Sequence, residues 1–163
     1  MKKHDLSVRA VIAAMALLIP TVAGAQDADP VADRAAIEKV MYDYVEAYGS
    51  GDMDHLMQFV NIPLTVAGPN GFRSIAASDE AVALYTRLRD AGVKQGYAKS
   101  EWLEFGVKLL GPSYAVAGGT FVRYKADGNE LNRGGGTYLL TKVDGVWKVG
   151  VGVNYPVEDA LVP

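Results

Sequence analysis

The stretch from Tyr97 to Tyr155 reads YAKSEWLEFGVKLLGPSYAVAGGTFVRYKADGNELNRGGGTYLLTKVDGVWKVGVGVNY, and its punctuation decides the fold. Gly111-Pro112, Asp127-Gly128 and Asp144-Gly145 are tight-turn signals between runs rich in Val, Thr, Tyr, Phe and Trp. Four antiparallel strands in a meander follow. On the last strand Trp147, Val149, Val151, Val153 and Tyr155 alternate with Lys148, Gly150, Gly152 and Asn154. Side chains alternate across a strand, so the apolar set should meet the rest of the core.

Two-residue turns would align Trp102 with Phe121, Gly134 and Tyr155. Glu104 would then align with Gly119, Gly136 and Val153, and Gly106 with Ala117, Tyr138 and Val151. The inward face would carry many small residues, which bend a sheet and leave space above it. Trp102, Phe121, Tyr138 and Tyr155 would rim that space. The alternative is that the rings fill it as ordinary packing. Glu104 would point into the same space, where burial raises a carboxyl pKa, with Arg123 one row beyond Phe121 as a partner or an anion contact. Leu103, Phe105, Val107 and Leu109 make a strong apolar set on the other face. A one-residue slip would therefore put Glu104 in water instead.

Upstream of the meander the sequence reads as helices and one small hairpin. Asp29-Pro30 opens a helix to about Tyr48, with Ile37, Val40, Met41, Tyr44, Ala47 and Tyr48 on one stripe. Gly49-Ser50-Gly51 ends it, and Asp52 caps a second helix from Met53 to about Val60. Pro63 and the turn 68–71 bracket a strand at Leu64–Ala67, with its return at Phe72–Ile75. Ser78 caps a third helix that Gly92 stops. Helices followed by a long antiparallel meander predict an α+β domain, with the helices on one face of a curved sheet.

The first 25 residues read differently. Lys2, Lys3 and Arg9 precede the apolar run Ala10–Pro20, and Ala23-Gly24-Ala25 fits a small-residue cleavage site. The run is short for a bilayer span, so an export signal at 1–25 is expected, with one domain at 26–163. The product would be periplasmic or secreted, with no stable membrane anchor. The chain has 163 residues and a net charge of −3, which offers no basic footprint for nucleic acid. It has no cysteine, which excludes disulfides, thiolate metal sites and a Cys nucleophile. Beyond the leader the one histidine is His55, read as a surface or helix-packing residue. No metal site or cofactor is expected.

Tyr44-Val45-Glu46-Ala47-Tyr48 followed by Gly51-Asp52-Met53-Asp54 resembles the helix–GDxD–helix opening of the NTF2-like superfamily. Asp144-Gly145-Val146-Trp147-Lys148-Val149 resembles its closing DGxWKI strand. The likeness spans about Val31 to Tyr155 and implies the cone-shaped fold of nuclear transport factor 2, ketosteroid isomerase, scytalone dehydratase and SnoaL-type cyclases. Neither motif is catalytic. Ketosteroid isomerases place an oxyanion-stabilising Tyr seven residues before the Gly-Asp, and Tyr44 has that spacing. Their base position falls on Gly68, no carboxylate lies between Glu130 and Asp144 for their second acid, and the last-strand His of SnoaL-like members is missing.

Three functions follow as expectations. The first is an exported domain binding a small apolar or aromatic molecule through Tyr44, Tyr48, Trp102, Glu104, Phe121, Arg123, Tyr138 and Tyr155. The second is a cyclase, dehydratase or isomerase using Tyr44 as donor and Glu104 as acid/base. The third is an assembly module. The resemblance also implies a homodimer through the outer sheet face, with Leu103, Phe105, Val107, Val116, Val122 and Leu139 on that surface.

Overall fold

A computed structural model describes residues 29–68 and 71–163. The expected leader at 1–25 lies outside these residues. Helix α1 (Pro30–Ser50) is followed by the single turn α2 (Met53–Leu56) and a 3-10 turn at Met57–Phe59. Strands β1 (Val60–Gly68) and β2 (Gly71–Ile75) precede helix α3 (Ser78–Lys94). The meander is β3 (Tyr97–Leu109), β4 (Tyr114–Lys125), β5 (Glu130–Val143) and β6 (Val146–Tyr155). All six strands form one sheet in the order β2-β1-β6-β5-β4-β3. The α+β expectation holds.

Local chemistry sets the helix boundaries. The Asp29 side chain accepts from the backbone N–H of Val31 and Ala32 at 3.0 and 3.1 Å, which occupies donors the first turn of α1 would leave orphaned. Gly51 closes α1 in the left-handed region at φ 84°. Asp52 accepts from His55 N at 2.9 Å and starts α2. The second helix is shorter than its sequence suggests, because Val60 already pairs with Val149 of β6 in parallel. Ala77, not Ser78, is the N-cap residue of α3, and no side chain bonds there. Nor does Gly92 stop α3, which runs on to Lys94. A Cβ at Gly92 would lie 3.3 Å from Tyr97 Cβ, so the glycine admits the start of β3 against the helix.

The turn at Asp144-Gly145 has two positive φ angles, 50° and 81°, the two-residue hairpin geometry that this dipeptide favours. Pairing follows the expected register in the middle of the sheet: Trp102 with Phe121, Phe121 with Gly134, Gly119 with Gly136, Ala117 with Tyr138 and Leu140 with Val149. Among several register shifts in the sheet, two bulges move expected site residues from one face to the other. In β3 the extra residue is Leu103, so Glu104 pairs with Thr120 and Phe105 with Gly119. In β6 the extra residue is Gly150, so Gly152 pairs with Tyr138, Asn154 with Gly136 and Tyr155 with Gly135.

The core lies between the helices and the inner sheet face. Ile37, Met41, Leu56, Leu64, Ile75, Leu140, Trp147 and Val149 are all essentially buried. One buried carboxylate crosses it: Asp33 Oδ1 accepts from Lys142 Nζ at 2.6 Å and from Trp147 Nε1 at 3.0 Å. That cluster ties the first turn of α1 to the last hairpin. The outer face is partly covered by the chain's own end. Tyr155 OH accepts from Leu161 N at 3.1 Å and bonds Thr137 Oγ1 at 2.6 Å. A Cβ at Gly106 would collide with Pro163 O at 2.5 Å. The expected dimer surface is therefore altered. Phe105 packs on the core, Val107 is buried within it, Val122 is only 1% exposed, and Leu103 and Leu139 remain exposed.

Candidate functional site: a tyrosine-walled cavity

A cavity of about 290 Å³ opens between α1, α3 and the inner face of β3–β6. Helix α1 contributes Tyr44, Val45 and Tyr48, and α3 contributes Tyr85, Leu88, Ala91 and Gly92. From the sheet come Tyr97, Ser100, Trp102, Phe121, Arg123, Asn132, Tyr138 and Asn154. The stripe spacing on α1 puts Tyr44 and Tyr48 one turn apart on the face that meets the sheet. On β3 and β4, Ser100 faces Arg123 and Trp102 faces Phe121, so four lining side chains sit in two adjacent rows.

Most of the rings pack edge to face, and Tyr48 and Tyr97 are tilted. Tyr44 lies 6.1 Å from Tyr85 and 5.8 Å from Tyr138, between ring centres. Tyr48 lies 6.3 Å from Tyr85 and 5.9 Å from Tyr97, and Trp102 lies 6.1 Å from Tyr138. Hydroxyls are paired where the wall is deepest. Tyr44 OH donates to Tyr85 OH at 3.1 Å, Tyr138 OH to Asn154 Oδ1 at 3.3 Å, and Tyr97 OH is hydrogen-bonded to Ser100 Oγ at 3.0 Å. Trp102 Nε1 is buried without a hydrogen-bond partner among the described residues.

Burial dominates the protonation of these groups. It pushes the Tyr44 phenol well above its ordinary value, helped by the neighbouring Tyr85 and Tyr138. It pushes Tyr85 up to about 12 and raises Tyr138 further. Tyr48 and Tyr97 are raised by the same cause, with the positive charges of Arg123 and Arg89 pulling the other way. At neutral pH the wall is therefore a set of neutral hydroxyls, and no carboxylate lines it among the described residues.

Tyr44, Tyr48, Trp102, Phe121, Arg123 and Tyr138 stand in the wall as the sequence suggests. Glu104 and Tyr155 do not. The bulge at Leu103 turns Glu104 outward beside Thr120, where it is exposed. The bulge at Gly150 turns Tyr155 to the outer face over Gly135, and Asn154 takes its place inside. The expected pair of Tyr44 and Glu104 is not assembled. Tyr85, Tyr97, Ser100 and Asn154 are lining residues that the sequence reading left out. Tyr85 was legible on the apolar stripe of α3, whereas Asn154 required knowing the bulge. The glycine rows also act differently from expectation. An added Cβ at Gly134 would meet Phe121 Cζ at 2.6 Å, and one at Gly119 would meet the Glu104 carbonyl at 1.9 Å. Rings and neighbouring backbone occupy those notches, and the hollow lies beyond them, under Tyr48 and Tyr85. His55 is exposed on α2 with its ring 5.0 Å from Phe59, outside the cavity. Among the described residues no three His, Asp or Glu gather to hold a metal.

Residues 33–157 match the family described as NTF2-like protein (DUF6841). The chain belongs to that family. Solved structures agree on the NTF2-like, cystatin-like fold. An NTF2-like protein with a cystatin-like fold from Novosphingobium aromaticivorans superposes with a TM-score of 0.65 at 17% identity, over 80% of this chain and 86% of that one. An NTF-2 like protein of unknown function from Shewanella oneidensis gives 0.60 at 23% identity, over 77% and 98%. The association domain of C. elegans CaMKII gives 0.58 at 14% identity, over 77% and 96%. No curated protein matches the chain. At these identities the likeness carries the NTF2-like fold alone, and one fold hosts many activities.

Proposed function

We propose that this NTF2-like protein works outside the cytoplasm, after loss of residues 1–25, and holds a small apolar or aromatic molecule in the cavity between helices and sheet. One observation carries the reading: a 290 Å³ hollow walled by tyrosine, tryptophan and phenylalanine rings, with polar groups at a few fixed points. That is the usual make-up of a small-molecule pocket, at the small end of the roughly 300–1,000 Å³ range. It suits an occupant of one or two rings.

The enzymatic reading with Tyr44 and Glu104 is not retained. General acid–base chemistry needs a proton acceptor within hydrogen-bond reach of the reacting atom. Glu104 is exposed on the other side of β3, and the deepest tyrosines are held protonated by burial. Native mass spectrometry of the mature protein purified from its own host tests the binding reading. A bound small molecule, released on denaturation and identified by its mass, is the expected result. An empty protein, with no thermal shift across a panel of aromatic and aliphatic compounds, would overturn it.

A second proposal concerns assembly. Leu103 and Leu139 are 48% and 43% exposed on the sheet, which favours a homodimer through the outer face. Light scattering on the mature protein distinguishes dimer from monomer. Leu139→Lys should shift a dimer toward monomer while leaving the cavity intact, since Leu139 does not line it.

A further inference from the structure

Among the described residues, the cavity holds one permanent charge in its wall. Arg123 sits on β4, half-buried, with its guanidinium carbon 4.7 Å from the centre of the Phe121 ring. Stacking on a ring face occupies the plane of the group but none of its N–H donors. Among the described residues no hydrogen bond or ion pair uses those donors. No carboxylate on the flanking strands reaches it: Glu104 is exposed and turned outward beside Thr120, and the other two are engaged elsewhere. Glu101 is paired with Lys99 at 2.6 Å, and Glu130 accepts from Arg133 at 2.9 and 2.8 Å. Both sit in rows that point to the opposite face, with Glu101 across from Val122 and Glu130 across from Tyr124. The cross-strand neighbours of Arg123 are Ser100 and Asn132, both neutral hydrogen-bonding groups.

The other nearby cation differs. Arg89 on α3 spends its donors on the carbonyls of Gly49 and Ser50 at the end of α1, at 3.1–3.3 Å. It therefore caps a helix, while Arg123 caps nothing. The charge of Arg123 is felt at the hydroxyls of Tyr48, Tyr97 and Tyr138, so it stands among them and not at a distant rim.

A half-buried guanidinium at a cavity wall, with free donors and no counter-charge beside it, is placed to pair with an anionic group that enters the cavity. Its flat fork matches a carboxylate in bidentate fashion. From this we infer that the occupant of the cavity is an organic carboxylate on a flat aromatic body, with its carboxylate on Arg123 and its ring among Tyr48, Tyr85 and Trp102. The inference rests on the binding reading above and narrows it to a chemical class. Ser100, through its hydroxyl, and Asn132 stand beside Arg123 to take the remaining lone pairs. The buried N–H of Trp102 becomes a further donor if the indole turns toward the ligand.

Matched probe pairs separate carboxylate recognition from binding to the cavity. Phenylacetate against phenylacetamide, and cinnamate against cinnamamide, differ in charge but scarcely in shape. Calorimetry and tryptophan fluorescence should show each carboxylate binding about tenfold or more tightly than its amide at low salt, since charge-assisted hydrogen bonds are the stronger kind. Arg123→Gln should reduce that preference to about twofold or less, weakening the carboxylate far more than the amide, and Arg123→Lys should restore part of it. If Arg123→Gln fails to fold, the wild-type carboxylate-to-amide ratio decides alone. Equal binding of both members, or preference for the amide, would overturn the carboxylate assignment and leave the cavity reading standing. Absence of binding by all four probes would overturn the carboxylate assignment, while the cavity reading stands or falls on the native mass spectrometry and compound panel.

Discussion

At the residue scale, Asp33 shows how much one side chain can organise. Its two hydrogen bonds reach the last hairpin from the first turn of α1, more than a hundred positions apart in sequence. Lys142 and Trp147 hold its carboxyl below the usual range, against the opposing effect of burial. Asp33→Ala would leave the indole N–H buried and unpaired, while the Lys142 ammonium can turn to water. We expect a loss of about 1–3 kcal/mol in urea denaturation. Asp33→Asn should cost less, because an amide oxygen still accepts from Trp147. Tyr44→Phe makes a contrasting case. It deletes the donor to Tyr85 but leaves the rings packed, so a loss of about 0.5–1.5 kcal/mol is expected. A much larger loss in the same assay would mean that Tyr44 supports more than its one bond.

At the scale of elements, the two bulges govern what the cavity contains. Gly150 lets β6 switch faces, so Trp147 and Val149 point into the core while Val151, Val153 and Tyr155 point away from it. The outward Tyr155 then lies flat on Gly135, where an added Cβ would come within 2.3 Å of its ring. Gly135→Ala should therefore displace Tyr155, break its bond to Thr137 and cost about 1–3 kcal/mol in chemical denaturation. An unchanged midpoint would show that the tail and Tyr155 relax freely. The same bulges mark the limit of what the sequence made legible. Turn dipeptides and caps are local chemistry, so strand number, α1 and the middle of the register could be read directly. A bulge adds one residue without a compositional sign of its own. Leu103 looks like any strand residue, and the unbroken alternation from Trp147 to Tyr155 conceals the break at Gly150. The six cavity residues legible in the sequence precede these two bulges or lie on other elements, whereas Glu104 and Tyr155 follow them and lie on the other face. The class of ligand was equally out of reach. It depends on which carboxylates are already paired, and pairing is a property of the folded chain.

At the scale of the whole molecule, the two ends of the helix layer carry opposite pH sensitivities. One end holds Asp33, whose folded pKa lies below its ordinary value near 3.8. Its stabilising effect is full above that value and fades as pH falls through the folded pKa, because the unfolded chain takes up the proton first. The other end holds the buried tyrosines, whose folded pKa values lie above the ordinary 10.0. Their effect is full below about pH 10 and is lost as pH climbs toward the folded values, because the unfolded chain ionises first. Stability against urea should form a plateau from about pH 5 to pH 9, with an acid and an alkaline limb. Asp33→Asn should flatten the acid limb and leave the alkaline one. Tyr85, pushed up to about 12, should account for up to about 3 kcal/mol of the alkaline loss by pH 12, so Tyr85→Phe should soften that limb alone. An occupied cavity adds a diagnostic. A carboxylate bound on Arg123 places a negative charge beside Tyr48, Tyr97 and Tyr138, which discourages their ionisation. Saturating phenylacetate should move the onset of the alkaline limb upward, and phenylacetamide should move it less. Equal shifts with both probes would count against the carboxylate lying at Arg123, even if both compounds bind.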